Sequence, residues 1–477
     1  MGPVEQAFSH SVIPILPVSV EATGTSLYES QKKIYPRSVS GVFTRWRWSM
    51  IFLTQLVFYG LPWLQWGQRQ AVLFDLEARR FFIFNLVLYP QDFIYLAALL
   101  LISALSLFLF TAIAGRLWCG FACPQTVYSE IFLWIEQKIE GGRNARIRLD
   151  VAALSPAKLF KKWSKHAVWL GLSLWTGFTF VTYFTPAHEL RLEIMNLRLA
   201  SWEMFWLVFY GLATYGNAGF LREQVCKYMC PYARFQSAML DSDTLIVSYD
   251  PLRGEPRGAR ARAADPKQLA LGSCTDCTLC VQVCPTGIDI RNGLQYECIS
   301  CGSCVDVCNG VMDKMNYARG LIRFSTPKGM LENWNGSQML RRVLRPRVLA
   351  YALVLLLLSL GLLFNLAWRA PMKVDVVRDR GALVRVSIEG RLENVYRLQL
   401  MNATEQVQQY RLSVQGLPGL ELISTHQFKV DAAQSRWVAA RLSLAAGAAA
   451  QGSHPIQFVV RDETGSQVSE KSVFLIP

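Results

Sequence analysis

The run Cys274-Thr-Asp-Cys277-Thr-Leu-Cys280-Val-Gln-Val-Cys284-Pro285 constrains this chain more than any other feature. Its spacing is the C-x₂-C-x₂-C-x₃-C-P pattern that wraps backbone around an iron–sulfur cubane. Three thiolates reach three irons of one cluster, and the fourth, redirected by the proline, reaches another. The run Cys298-Ile-Ser-Cys301-Gly-Ser-Cys304-Val-Asp-Val-Cys308 repeats the spacing but ends in Cys308-Asn309. Two [4Fe–4S] clusters are therefore expected. Cluster one takes Cys274, Cys277, Cys280 and Cys308; cluster two takes Cys298, Cys301, Cys304 and Cys284. Zinc also uses CxxC pairs, but four evenly spaced cysteines repeated twice suit a tetrahedral ion poorly. Gly302 and the few bulky residues between ligands suit close backbone approach to the sulfides.

All twelve cysteines fall between Cys119 and Cys308. A secreted disulfide scaffold would place them otherwise, so these thiols read as reduced ligands. The four outside the runs form a weak internal duplication: Arg116-Leu-Trp-Cys119-Gly-Phe-Ala-Cys123-Pro124 and Arg222-Glu-Gln-Val-Cys226-Lys-Tyr-Met-Cys230-Pro231. Cysteines at i and i+4 share a helix face. Proline disfavours helix at the residue before it, which puts each second cysteine at a helix break. Four soft thiolates there suit Cu(I), zinc or an iron–sulfur centre. The plainer alternative is a small apolar residue that packs well. Cys119, Cys123, Cys226 and Cys230 are thus the candidate catalytic and metal-binding set. Arg116 and Arg222, about a turn ahead of each pair, either hold the thiols deprotonated or mark the lipid boundary.

Around these cysteines the chain is 52% hydrophobic. Five charge-poor stretches reach the roughly 20 residues that a bilayer requires: Trp48–Gln68, Phe93–Gly115, His166–His188, Met204–Leu221 and Val348–Trp368. Phe81–Gln91 is apolar but short and closed by Pro90, which predicts an interfacial or re-entrant piece. No basic n-region with an apolar h-region and cleavage site opens the chain, so no removed signal peptide is expected. Lys and Arg crowd the leader, the loop after the second stretch and the segment before the fifth. The positive-inside rule then puts the N-terminus in the cytoplasm and the C-terminus outside. It also accounts for the net charge of +14 without a nucleic-acid partner. The expectation is a multi-pass protein of a bacterial inner membrane, with the cysteine runs cytoplasmic and the tail periplasmic.

The expected divisions are a leader (1–45), four transmembrane helices with both CxxxCP motifs (46–240), the ferredoxin module (241–340), a fifth helix (341–369) and a tail (370–477). Thr126–Ile139 has the period of an amphipathic helix lying on the membrane surface. Pro251–Arg262 reads as a basic linker. The tail alternates or is β-branched at Val374–Val377, Val384–Ile388, Tyr396–Met401, Tyr410–Val414, Trp437–Leu442, Ile456–Val460 and Ser472–Ile476, which predicts an all-β sandwich of about seven strands. The five histidines are scattered, which excludes a bis-histidine haem between helices. No Walker loop or glycine fingerprint supports nucleotide binding.

This order of parts resembles the FixG/CcoG (RdxA-like) family that serves cbb3-type cytochrome c oxidase. The resemblance rests on the leader, the pairs Cys119/Cys123 and Cys226/Cys230, the two ferredoxin runs, the final span and the β-rich tail, and covers nearly the whole chain. The membrane half is also similar to membrane subunits of periplasmic nitrate reductase systems, which pass quinol electrons. The family resemblance implies an Ig-like fold for 370–477. It further implies copper handling during oxidase assembly, with reduction of Cu(II) to Cu(I) as the activity. The implied partners are oxidase assembly factors or copper chaperones and transporters. Two other readings stay open: a quinol- or ferredoxin-linked electron carrier without copper, and a non-catalytic assembly scaffold.

Overall fold

The computed structural model describes residues 33–477 apart from 68, 263, 265–267, 333, 380 and 382–383. Most of the expected leader, including His10 and Lys32, lies outside the described residues. A helix already begins at Val42, inside the range expected for the leader.

All five apolar stretches carry helices: α1 (Val42–Gly60), α2 (Phe93–Ala114), α5 (Pro156–Val181), α6 (Ser201–Gly216) and α10 (Pro346–Ala367). Between α2 and α5 stand α3 (Leu117–Phe121) and α4 (Pro124–Glu140). Both α2 and α10 have 22 residues, about 33 Å at 1.5 Å per residue. These two are apolar and long enough to cross a membrane. The serines and the threonine of α2 do not break the helix because each hydroxyl turns back on its own backbone. Ser106 Oγ, for example, donates to the Ile102 carbonyl at 2.7 Å.

The first stretch was expected to stay helical to Gln68, but α1 stops at Gly60. Leu61–Trp63 is a 3₁₀ turn around Pro62, followed by short strands. Phe81–Gln91 is likewise not a re-entrant piece. It supplies β2 (Arg80–Ile83) and β3 (Leu86–Leu88) of an antiparallel sheet opened by β1 (Val72–Asp75). Alternate residues from this loop bury on the tail: Leu73, Phe82, Val87 and Tyr89 pack with Met401 and Ala433. Next to it Asp92, 4% exposed, pairs with Arg369 at 2.7 Å and with Lys373. That pair ties the start of α2 to the end of α10.

At the other end of the same helices lies the cysteine-rich module. β4 (Ile246–Tyr249) and β5 (Ile322–Ser325) form an antiparallel ladder that closes the loop holding all eight ferredoxin cysteines. Within it, α8 (Leu279–Gln282) and α9 (Ser303–Met315) repeat one design, each entered through a left-handed residue, Thr278 (φ 54°) and Gly302 (φ 75°). Asp306 on α9 caps α1 from outside. Its carboxylate accepts from Phe43 N–H at 3.2 Å, Thr44 N–H at 2.7 Å and Thr44 Oγ at 2.8 Å. The expected basic linker is stitched to this module: Pro251–Gly254 is a helical turn, and Arg260 donates to the Gly272 carbonyl at 2.7 Å.

Helix α4 confirms the periodicity of Thr126–Ile139, but its apolar stripe is buried in protein: Phe132 and Ile135 pack on Trp169 of α5 and on Ala218. The tail is a two-sheet sandwich containing all seven expected strands: β6 (Met372–Arg378), β7 (Arg385–Val386), β8 (Leu392–Asn402), β9 (Gln408–Gln415), β12 (Ser435–Leu444), β13 (Gly452–Arg461) and β14 (Gln467–Ile476). Two short strands, β10 (Glu421–Leu422) and β11 (Gln427–Val430), escape the sequence pattern. One sheet runs β10-β12-β8-β6, with β7 also on β8; the other runs β11-β9-β13-β14.

Candidate redox site

The two ferredoxin runs interlock. Cys308 stands within electrostatic reach of Cys274, Cys277 and Cys280, and those four thiols line one cavity. Cys304 lies in reach of Cys298, Cys301 and Cys284. Each run therefore lends its last cysteine to the other set, including Cys308, although asparagine follows it. Among the described residues no three His, Cys, Asp or Glu side chains stand close enough to share one ion. Two interlocked four-thiol sets on repeated C-x₂-C-x₂-C runs suit iron–sulfur cubanes, and such a cluster would hold and pass one electron at a time.

Burial governs the thiols. It pushes Cys280 up to about 11 and Cys298 and Cys308 up to about 12, so loading must displace protons. Gly302 carries a further constraint besides the room expected for sulfide. Its left-handed φ favours glycine, and a Cβ there would meet the Phe43 ring at 2.7 Å.

The CxxxCP motifs share a geometry that spacing alone did not show. Cys119 sits in α3, whereas Cys123 is extended (φ −61°, ψ 127°) and caps α4. Cys226 sits in a π turn, Val225–Met229, and Cys230 is extended (φ −81°, ψ 109°) before α7 (Pro231–Met239). In both motifs the second cysteine's N–H reaches five residues back, to Trp118 at 3.0 Å and to Val225 at 2.8 Å. The chain therefore turns between the two thiols of each pair, and they do not lie along one regular helix face. Gly115 (φ 54°, ψ −122°) and Arg222 (φ 42°, ψ −111°) occupy matching positions four residues before the first cysteine. Arg222 is thus the structural equivalent of Gly115, not of Arg116.

The motifs meet. Cys119 feels Cys123 and Cys226, and Cys123 feels Cys230. Cys119 Sγ donates to Gln236 Oε1 of α7 at 3.3 Å. Neither arginine keeps these thiols ionised. Arg222 is bound to Glu136, fully buried, at 2.7 Å. Arg116 favours the thiolate of Cys119, yet burial outweighs it and pushes that thiol up to about 12. Cys226 is pushed up to about 11 by the same cause.

The residue that joins both cysteine regions is Arg116, which sequence reasoning treated only as a local charge. It is 5% exposed, and its guanidinium donates to the Tyr296 carbonyl, ahead of Cys298, and to the Ala233 carbonyl of α7. Gly120 lies flat on the second run: a Cβ there would stand 2.6 Å from the Ile299 carbonyl oxygen and 3.0 Å from Cys301 N. The glycine in Cys119-Gly-Phe-Ala-Cys123 was the available signal for that contact.

Comparison with known proteins agrees with this layout. Residues 221–327 match the model of a 4Fe-4S dicluster domain and residues 96–141 that of a 4Fe-4S binding domain. Residues 362–477 match the Ig-like fold at the C-terminus of FixG. The chain is 38% identical over 423 residues to the nitrogen fixation protein FixG of Rhizobium meliloti, covering 82% of this chain and 81% of that one. It is 38% identical to protein RdxA of Cereibacter sphaeroides (83% and 84% covered) and 37% identical to RdxB of the same organism (83% and 84%). With its interlocked cysteine runs and Ig-like tail, the chain belongs to the FixG/RdxA family and is an iron–sulfur electron-transfer protein.

Proposed function

We propose that this protein passes single electrons from two [4Fe–4S] clusters to the four membrane-edge cysteines and there reduces Cu(II) to Cu(I) for cytochrome oxidase assembly. Cluster one takes Cys274, Cys277, Cys280 and Cys308, and cluster two takes Cys298, Cys301, Cys304 and Cys284. The observation that carries this reading is the contact of Gly120 with Ile299–Cys301, which leaves no layer of side chains between the two cysteine regions. Soft thiolates at low coordination stabilise Cu(I) over Cu(II) and bias a captured Cu(II) toward accepting an electron. Chemically reduced protein is expected to convert Cu(II) to Cu(I) at a rate that falls in Cys119→Ser and Cys226→Ser while cluster content is unchanged. Variants as fast as the parent would put the copper-free, quinol- or ferredoxin-linked carrier first.

A second reading is favoured by the 4Fe-4S match over residues 96–141. That segment contains only Cys119 and Cys123, so a third cluster there would draw its other ligands from Cys226 and Cys230. Anaerobically purified protein would then hold about twelve irons per chain instead of about eight. The scaffold reading rests on the sandwich alone and predicts no copper reduction.

The same proposal places five helices across a bacterial inner membrane, with the ferredoxin module cytoplasmic and the sandwich periplasmic. Support comes from α2 and α10, which run from the module (Leu245 N–H donates to Ile113 O at 3.1 Å, and Arg345 pairs with Asp241 at 3.0 Å) to the Asp92–Arg369 pair beside the sandwich. Their lengths match the roughly 30 Å hydrocarbon core. A reporter fused near Gly310 should read as cytoplasmic and one after Pro477 as external. A cytoplasmic C-terminal reporter would remove one crossing, first of all α6.

A further inference from the structure

Resting on the electron-transfer reading above, we propose that the two cluster sites have fixed and different roles. The set Cys298, Cys301, Cys304 and Cys284 exchanges electrons with the four-cysteine site, and the set containing Cys277 faces a soluble one-electron carrier protein. Gly120 and Arg116 are the positioning residues that enforce this order.

The asymmetry is built into the packing. The second run is covered on the helix side: Ile299 and Cys301 are buried beneath Gly120, and Gly302 lies against Phe43 of α1. Arg116 fastens that cover by donating to Tyr296, just ahead of the run, and to Ala233 on α7 at once. A guanidinium can do this because its donors form a planar fork. In the first run Cys277 is exposed, and the neighbouring Asp276 carboxylate is 46% exposed although Arg291 holds it. The first run approaches α1 and α4 at its far end, where Val283 and Pro285, flanking Cys284 of the second set, line a cleft with Trp48 and Trp134. Tunnelling rates fall steeply with distance, so the nearer thiolate set delivers to the membrane-edge thiols and the exposed set receives. Each transfer removes one electron from the carrier and adds one to the final acceptor, Cu(II) becoming Cu(I). The electron transfer itself forms no bond and moves no proton; thiol protons leave when the thiols take up metal.

The test uses full-length protein, purified anaerobically in detergent and reduced with dithionite, and reads electron paramagnetic resonance. Cys277→Ser and Cys301→Ser assign the two cluster signals by deleting one each. A soluble gadolinium chelate, which cannot enter the fold, should speed relaxation of the signal lost in Cys277→Ser several-fold more than that of the signal lost in Cys301→Ser. Gly120→Val should keep the parent iron content, alter the line shape of the Cys301-dependent signal alone and slow oxidation of the reduced protein by Cu(II). Arg116→Lys should change the same signal less than Arg116→Leu. Equal gadolinium enhancement of the two signals, or a Gly120→Val change in the Cys277-dependent signal, would overturn the assignment. The gadolinium arm needs no variant at residue 120, so a misfolded Gly120→Val leaves the proposal exposed to refutation. Neither resonance arm uses copper. A parent protein that fails to reduce Cu(II) therefore rejects copper as acceptor, and the order is still decided.

Discussion

The ferredoxin module and the sandwich are held together by opposite means. In the module, Cys274 and Cys280 are core residues, and Cys284, Cys298, Cys304 and Cys308 pack against them with Val305, Met312 and Leu321. Part of that core is borrowed, since Phe43 comes from α1. The sandwich buries seventeen apolar side chains between its sheets and contains no cysteine. One region spends its interior on ligands and depends on what they hold. The other stands on buried area, at roughly 25 cal/mol per Å². The reactive end of the molecule is therefore its thermodynamically dependent end.

Removing the metal should break the molecule along that line and gives the largest expected effect. Iron chelation under reducing conditions should make residues 250–321 protease-sensitive while the sandwich stays resistant. Cys280→Ser should lose about half of the roughly eight irons, as the proposed assignment of one cluster to each set requires. A sandwich that melts together with iron loss would refute the division. So would stoichiometric zinc in place of iron.

The converse perturbation is Phe458→Ala. Phe458 is fully buried and packs edge-on to Tyr396 at 5.0 Å between centroids. Truncation should cost about 3–5 kcal/mol and lower the melting temperature of the tail, with iron content and cluster spectra unchanged. Loss of clusters in this variant would mean that the two regions fold as one unit.

A smaller effect probes the seam between the module and α1. Asp306→Ala leaves Phe43 and Thr44 N–H without a cap and should cost about 1–2 kcal/mol. Asp306→Asn keeps an acceptor and should recover most of that. Faster hydrogen exchange confined to the first turn of α1 and to α9 is the expected signature; a change spread evenly over the chain would contradict it.

What could be read beforehand follows the same contrast. The ferredoxin module and seven of the nine sandwich strands were legible, because cluster ligation and sheet pleating both impose short, local spacings. β10 and β11 were not, being two and four residues long. The sheet at residues 72–88 was missed because the residues it packs on, Met401 and Ala433, lie more than 300 positions away, so its apolar run looked like membrane material. The CxxxCP pairs were found by spacing but misjudged in geometry. The turn between their thiols comes from the extended Cys-Pro steps, and the thiol ionisation follows burial more than the nearest arginine. The roles of Arg116 and Gly120 depend on what the fold brings against them, and no local pattern carries that.

The smallest predicted effect concerns the other seam, where the α1–α2 loop meets the sandwich. Tyr89 is 3% exposed, and its hydroxyl donates to the Asn402 carbonyl at 2.8 Å and lies 3.3 Å from that of Gln434. Asn402 is itself fully buried; its side chain donates to Asp431 O at 3.0 Å and accepts from Thr404 N–H at 3.0 Å. The glycosylation-type triplet Asn402-Ala-Thr404 is therefore a turn lock, and Tyr89 closes over it. Tyr89→Phe keeps the ring in its apolar site beside Met401 and removes only the hydroxyl, which should cost about 1 kcal/mol. The loss should show as a slightly lower melting temperature of the sandwich in the full chain and as faster proteolysis within residues 402–406 or 431–434. It should vanish in an isolated 370–477 fragment, which lacks Tyr89. That fragment should fold cooperatively but start at or below the stability of the Tyr89→Phe chain. An isolated fragment more stable than the tail of the parent chain would mean that the loop strains the sandwich, and the seam would have to be read as a spring, not a clasp.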